Sequence, residues 1–335
     1  MAKIGVLGAG TWGIALARML TVSGHDVTVW SPHGIDALLE TRRHKNLPDM
    51  VIPEETVLTK SMAEVCGGQE VLLFTVPSIY IRSTAALAAP WVQPGQIAVD
   101  AAKGIEEGTL LTMTRVISDE LGKAGKAEGV PLVVLSGPTH AEEVARDLPS
   151  TIVSASTDPA AARRVQEIFM NTCMRVYTND DVYGVELCGA VKNIVALAAG
   201  ISTGMGYGDN AKAALITRGM AEIKRLGTAL GCREQTFSGL AGIGDLVVTA
   251  TSQHSRNNRC GYYIGQGLSV EEAVRKVGMV VEGINALSAA KELAGRCGVE
   301  MPITNAVYDI VFHGADPRQA VIDLMSRDKR AETDL

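Results

Sequence analysis

Residues 3–24 read KIGVLGAGTWGIALARMLTVSG: a β-rich run, a glycine-rich turn and a helical run in immediate succession. Few arrangements accept that order. The turn, residues 8–13, fits G-x-G-x-x-G, a weak signal alone but a specific one between a strand and a helix. Gly8 allows the tight turn, Gly10 lets backbone approach a pyrophosphate, and Gly13 lets helix and strand pack closely, with the anion on the helix N-terminus. A glycine-rich turn without a ligand is the plain alternative.

The rest of the first half repeats the strand–helix alternation: DVTVW, EVLLFTV, QIAVDAA, PLVVLSG, STIVSAS and MRVYT follow, separated by helical segments. Such alternation predicts an α/β fold, a Rossmann-like parallel sheet covered by helices. After about Asp180 the pattern becomes long helical segments rich in Ala, Gly and Leu, without a convincing strand. The expected organisation is a dinucleotide-binding domain over residues 1–180 and an all-helical substrate-binding domain over 181–335, comfortable for a chain of 335 residues.

A net charge of −6 without a basic cluster argues against nucleic acid as partner. The six cysteines include no C-x-x-C pair, and no two histidines sit at a metal-ligand spacing, so no metal is indicated. KIGVL begins at residue 3, which leaves no room for a signal sequence, and no run is expected to span a bilayer. These readings point to a cytoplasmic protein with reduced thiols.

In an open parallel sheet ligands sit beyond the carboxyl ends of strands. There the sequence places VPS (76–78), AKG (102–104) and SGPTHA (136–141), with Lys103 prominent. The second strand ends at Trp30 and is followed by Ser31-Pro32-His33, where a carboxylate would ordinarily bind ribose hydroxyls. Without that carboxylate a 2′-phosphate is tolerated, so either NADP or NAD fits.

VELCGAVKNIVALAAG (185–200) contains Lys192 among small apolar residues. Two readings stand: a surface lysine with its ammonium in water, or a lysine held in a site for proton transfer. AGIGDLVVTATSQHSRNN (241–258) sets Asp245 and Thr249 on one helical face, followed by Ser255, Arg256 and Asn257. A planar cation, a hydroxyl and an amide suit a phosphate monoester, while Ser255 also suits a helix cap.

Taken in order, GAGTWG, AKG, SGPTHAEE, ELCGAVKN, GDNAKAALITRG, GLAGIGDLVVT, SRNNR, VVEGINA and EMPIT resemble the bacterial-type NAD(P)-dependent glycerol-3-phosphate dehydrogenases along nearly the whole chain. The resemblance implies a Rossmann-like domain followed by an all-helical one, of 6-phosphogluconate dehydrogenase-like kind. It implies reversible reduction of dihydroxyacetone phosphate to sn-glycerol 3-phosphate with NADP or NAD, supplying glycerophospholipid synthesis, and it leaves a homodimer open. Residue by residue, Lys192 matches the general acid/base. Lys103, Gly137, Thr139, Asp245, Ser255, Arg256 and Asn257 match substrate positions, and Asn193 and Thr249 line the same pocket in relatives. Gly8, Gly10, Thr11, Trp12, Gly13, His33, Lys103, Ala141, Arg256, Val280 and Glu282 match positions around the cofactor. Two departures are visible: Ala102 stands where relatives often carry Thr, and Ser31-Pro32-His33 differs from arginine-bearing loops. A dehydrogenase of the phosphogluconate or β-hydroxyacid type and a non-catalytic nicotinamide-binding regulator are the competing readings.

Overall fold

The seven apolar runs of the first half form strands β1 (Lys3–Leu7), β2 (Asp26–Trp30), β4 (Val71–Phe74), β5 (Ile97–Asp100), β6 (Leu132–Ser136), β7 (Ser150–Ala155) and β8 (Met174–Asn179). An eighth, β3 (Val57–Thr59), is three residues long and carries too little pattern to be read from sequence. The sheet order is β3-β2-β1-β4-β5-β6-β7-β8. The computed structural model describes residues 1–329 and 331–332, so the end of the helical region expected to reach 335 lies outside the described residues.

Every neighbouring pair in the sheet is parallel except β6 and β7. The sheet is thus parallel-dominated, as expected, with one antiparallel pair. Between β6 and β7 the chain forms only one helical turn, Ala141–Val144, instead of the long covering helix that carries a strand crossover. It turns back on itself. Strands β1, β4 and β5 are buried on both faces along almost their whole length, as parallel strands between helix layers require. Because β1, β2, β4, β5 and β6 run one way, Gly8, Ser31, Val76, Lys103 and Gly137 all follow strand ends at one edge of the sheet.

By internal contacts the chain divides into residues 1–103 with 112–182, and residues 104–111 with 183–335. The segment 104–111, expected in the first domain, instead buries Ile105 and Leu110 in the core of the helical unit.

Helix α3 (Asp209–Ala229) adds Ile223 and Leu226 to that core, which is built on α2 (Val182–Gly204). With 23 residues and a mean hydropathy of 1.5 it is long and apolar enough to cross a membrane, against the expectation that no run is. From Gly184 to Ser202 it is buried within the protein. Its partner α5 (Arg256–Gly265) packs on it backbone to backbone. A Cβ added to Gly200 would lie 2.1 Å from the Asn258 carbonyl oxygen, and one on Gly261 would lie 2.1 Å from that of Leu197. Gly204 and Gly265 extend the same seam, so only four glycines permit this approach. The small, glycine-rich composition of the helical half has its physical reason here.

All six cysteines are free thiols. Burial pushes Cys66 up to about 12 and Cys260 up to about 11, which keeps both protonated and unreactive at neutral pH.

Candidate active site

The glycine turn is a cradle that side chains would fill. Gly8 has φ of +127°, and a Cβ there would lie 2.9 Å from the Val76 nitrogen. A Cβ on Gly13 would lie 2.0 Å from the Gly8 carbonyl oxygen. Thr75 holds the turn from below by donating its hydroxyl to the carbonyls of Leu7 and Gly8 (3.2 and 2.9 Å). Gly10 is the N-cap of α1 (Thr11–Val22); no side chain caps the helix, and a Cβ on Gly10 would meet nothing within 4 Å. The mouth of the cradle is therefore open at a helix N-terminus, which fits a dinucleotide's pyrophosphate. Thr11 is buried and accepts a hydrogen bond from Asn46 Nδ2 (3.0 Å), while Trp12 packs against the core of the unit. Thr75 and Asn46 escaped the sequence reading because each acts across more than 30 residues.

At the end of β2 the Ser31 hydroxyl donates to the His33 carbonyl (2.8 Å), folding the loop on itself and leaving His33 exposed. Asp36 pairs with Lys60 (2.6 Å). At the end of β5 the Asp100 carboxylate accepts from Ala102 N (3.0 Å) and fixes the turn that carries Lys103. Lys103 Nζ donates to the Gly137 carbonyl (3.1 Å), as does the Thr139 hydroxyl (3.3 Å). Lys103, Gly137 and Thr139, far apart in sequence, are thus one cluster, and Ala141 starts the short helix just beyond them.

In the helical unit Lys192 is only 3% exposed. The snorkelling alternative is thereby removed. Its Nζ donates to Asp245 Oδ1 at 2.7 Å and to Thr249 Oγ1 at 2.5 Å. Thr249 in turn donates its own hydroxyl proton to the Asp245 carbonyl (2.6 Å), so toward Lys192 it presents a lone pair. Asp245 and Thr249 share a face of α4 (Asp245–Thr251). That helix follows a π-turn, Leu240–Gly244, in which Gly242 is non-helical at φ −90° and ψ −106°. Such a turn re-aims the first residue of the next helix, here the carboxylate that meets Lys192.

Ser255 is the N-cap of α5, its hydroxyl accepting from Asn258 N (3.2 Å), and Arg256 is the first helical residue. The cap reading of Ser255 therefore holds, and Arg256 stands in the first turn of the helix that it caps. Asn257 and Asn193 are buried and hydrogen-bonded to each other, Nδ2 to Oδ1, at 2.9 Å. Glu282, which opens α6 (Glu282–Cys297), is buried, and Val280 is half-buried just before it. Gly283, which no sequence pattern singled out, donates its N–H to Asn257 Oδ1 at 2.8 Å.

The model of the NAD-dependent glycerol-3-phosphate dehydrogenase N-terminus matches residues 3–162, and that of the C-terminus matches residues 181–322. A protein of Lactobacillus delbrueckii subsp. bulgaricus, named an NAD(P)+ glycerol-3-phosphate dehydrogenase, is 63% identical over 334 residues, covering 99% of both chains. One of the same name from Shouchella clausii is 47% identical, covering 100% of this chain and 98% of its own. The crystal structure of glycerol-3-phosphate dehydrogenase from Coxiella burnetii matches with a TM-score of 0.92 at 37% identity, over 97% of this chain and 99% of that one.

Proposed function

This chain belongs to the NAD-dependent glycerol-3-phosphate dehydrogenase family, and on that premise we propose which of its residues carry the reaction. It is an NAD(P)-dependent oxidoreductase that interconverts dihydroxyacetone phosphate and sn-glycerol 3-phosphate. A dinucleotide held at the Gly8, Gly10 and Gly13 turn would supply the hydride for reduction and accept it in oxidation.

The observation that carries the assignment of roles is the buried Lys192–Asp245–Thr249 cluster. Lys192 gives its proton to the C2 oxygen as the alcohol forms and takes it back as the ketone forms. Asp245 balances the buried ammonium, and Thr249, its own proton committed to a carbonyl, fixes the direction of Nζ. Arg256 and the start of α5 take the phosphate, a planar fork beside a helix N-terminus. Lys103, with Gly137 and Thr139, serves the substrate side of the sheet edge, and the cradle of Gly8, Gly10 and Gly13 takes the pyrophosphate. We place the enzyme in the cytoplasm, supplying glycerol 3-phosphate for glycerophospholipid synthesis; six free thiols suit a reducing compartment.

A spectrophotometric assay with dihydroxyacetone phosphate and NADH or NADPH tests this reading. Turnover of hydroxyacids with none of dihydroxyacetone phosphate overturns it in favour of a β-hydroxyacid enzyme; cofactor binding without turnover of either leaves only a regulator.

Arg256→Ala is expected to weaken dihydroxyacetone phosphate binding by about 1.5–3 kcal/mol, the scale of a charged hydrogen bond. Unphosphorylated dihydroxyacetone should change much less. Equal losses for both substrates would show Arg256 acting through the cofactor or the fold.

Both cofactors should be used, NADPH at least as well as NADH, because the loop after Trp30 holds neither the carboxylate that binds ribose hydroxyls nor its charge. Ser31→Asp introduces that charge and should shift kcat/KM toward NADH. An unchanged ratio means that position 31 does not face the 2′ group.

A further inference from the structure

Three residues that no sequence motif connects form one buried chain of hydrogen bonds. Gly283 N donates to Asn257 Oδ1 (2.8 Å), Asn257 Nδ2 donates to Asn193 Oδ1 (2.9 Å), and Asn193 Nδ2 donates to the Gly189 carbonyl (3.1 Å). The first turn of α6 comes so close to α2 that a Cβ on Gly283 would lie 2.6 Å from the Asn193 carbonyl oxygen and 3.1 Å from Asn257 Oδ1. Only a residue without a side chain fits there. At position 257 the amide accepts a backbone N–H at one atom and donates to a second amide from the other; a carboxylate of the same shape has no proton to give.

Each member adjoins a functional residue in sequence. Lys192 precedes Asn193, Arg256 precedes Asn257, and the proposed cofactor residues Val280 and Glu282 precede Gly283. We propose that Gly283, Asn257 and Asn193 are positioning residues, a link that holds the cofactor-facing turn 280–282 in register with Lys192 and Arg256. The inference rests on the function proposed above. It also gives the Asn257 side chain a different task from the phosphate contact expected from sequence, since both ends of its amide are engaged within the protein.

A shared frame makes two ligands interdependent. Ordering the turn for the dinucleotide also orders Lys192 and Arg256 for the substrate, and the coupling is reciprocal. NADPH and sn-glycerol 3-phosphate are both reduced, so together they form a complex that cannot react. The affinity of the intact protein for NADPH, followed by the cofactor's fluorescence, is measured with and without saturating glycerol 3-phosphate. Melting temperature is recorded alongside.

In the wild type, glycerol 3-phosphate should tighten NADPH by about fivefold or more. In Asn257→Ser and Gly283→Ala the factor should fall to near one, and the double variant should lose no more than either single. Asn257→Ser replaces the two-ended amide by one short hydroxyl, which breaks the span from Gly283 N to Asn193 Oδ1 without adding bulk, so it carries the test if Gly283→Ala does not fold. A wild type without coupling overturns the link, as does coupling preserved in folded Asn257→Ser. Loss of glycerol 3-phosphate affinity with coupling unchanged overturns it too, by making Asn257 a direct ligand. Failure of the underlying function looks different: the wild type then does not turn over dihydroxyacetone phosphate at all.

Discussion

Lys192→Met is expected to lower kcat by about 10²- to 10⁴-fold while dinucleotide binding survives. Methionine keeps the length and much of the apolar contact of the lysine stem, so the pocket stays filled. What disappears is the ammonium that Asp245 and Thr249 hold at a defined place. Steady-state kinetics together with a cofactor titration make the measurement. Near-normal turnover in a folded variant would remove Lys192 from the chemistry.

Asp245→Ala should cost about 3–5 kcal/mol of stability, because it leaves an ammonium buried without its counter-charge. The two side chains are 4% and 1% exposed, so water cannot replace the missing partner. Lys192→Met alone leaves the mirror-image defect, a buried carboxylate. Joining it to Asp245→Ala removes both charges, and the pair should then cost far less than the two single losses added. Urea denaturation of the four proteins reads this directly. A loss below about 1 kcal/mol for Asp245→Ala would mean the pair is solvated, as surface pairs are.

The glycine turn, the strands and the switch to helices were legible because each is written in local periodicity and turn chemistry. Strand direction is not, since side chains alternate identically in parallel and antiparallel neighbours; the reversal at β7 follows from a connection that forms a single helical turn. Val182–Gly204 is hard to read from sequence as long enough and apolar enough to cross a membrane because Glu186 and Lys192 interrupt it; both are buried, Lys192 against Asp245 and Thr249. Lys192 itself showed the limit. Its residue type and neighbours allowed two readings, and the decision lay 53 and 57 residues away in Asp245 and Thr249. Family resemblance supplied those partners as names; the structure supplies the direction of each proton. Asn257 was legible only as a polar group beside Arg256, since its engagement depends on Gly283 26 residues away.

The glycine seam between α2 and α5 acts as a ruler. Interfaces made of side chains adjust when one member changes, because rotamers exchange and gaps refill. At Gly200, Gly204, Gly261 and Gly265 the spacing is set by peptide atoms, which have no alternative rotamers. The helix that carries Lys192 and the helix that begins at Arg256 are therefore held at a separation that side-chain repacking cannot lengthen. On this frame the span from the proposed proton-transfer group to the proposed phosphate fork is a fixed gauge for the carbon chain between them. Accepting a longer substrate would demand a change of backbone, and substitutions in the pocket wall alone would not provide it.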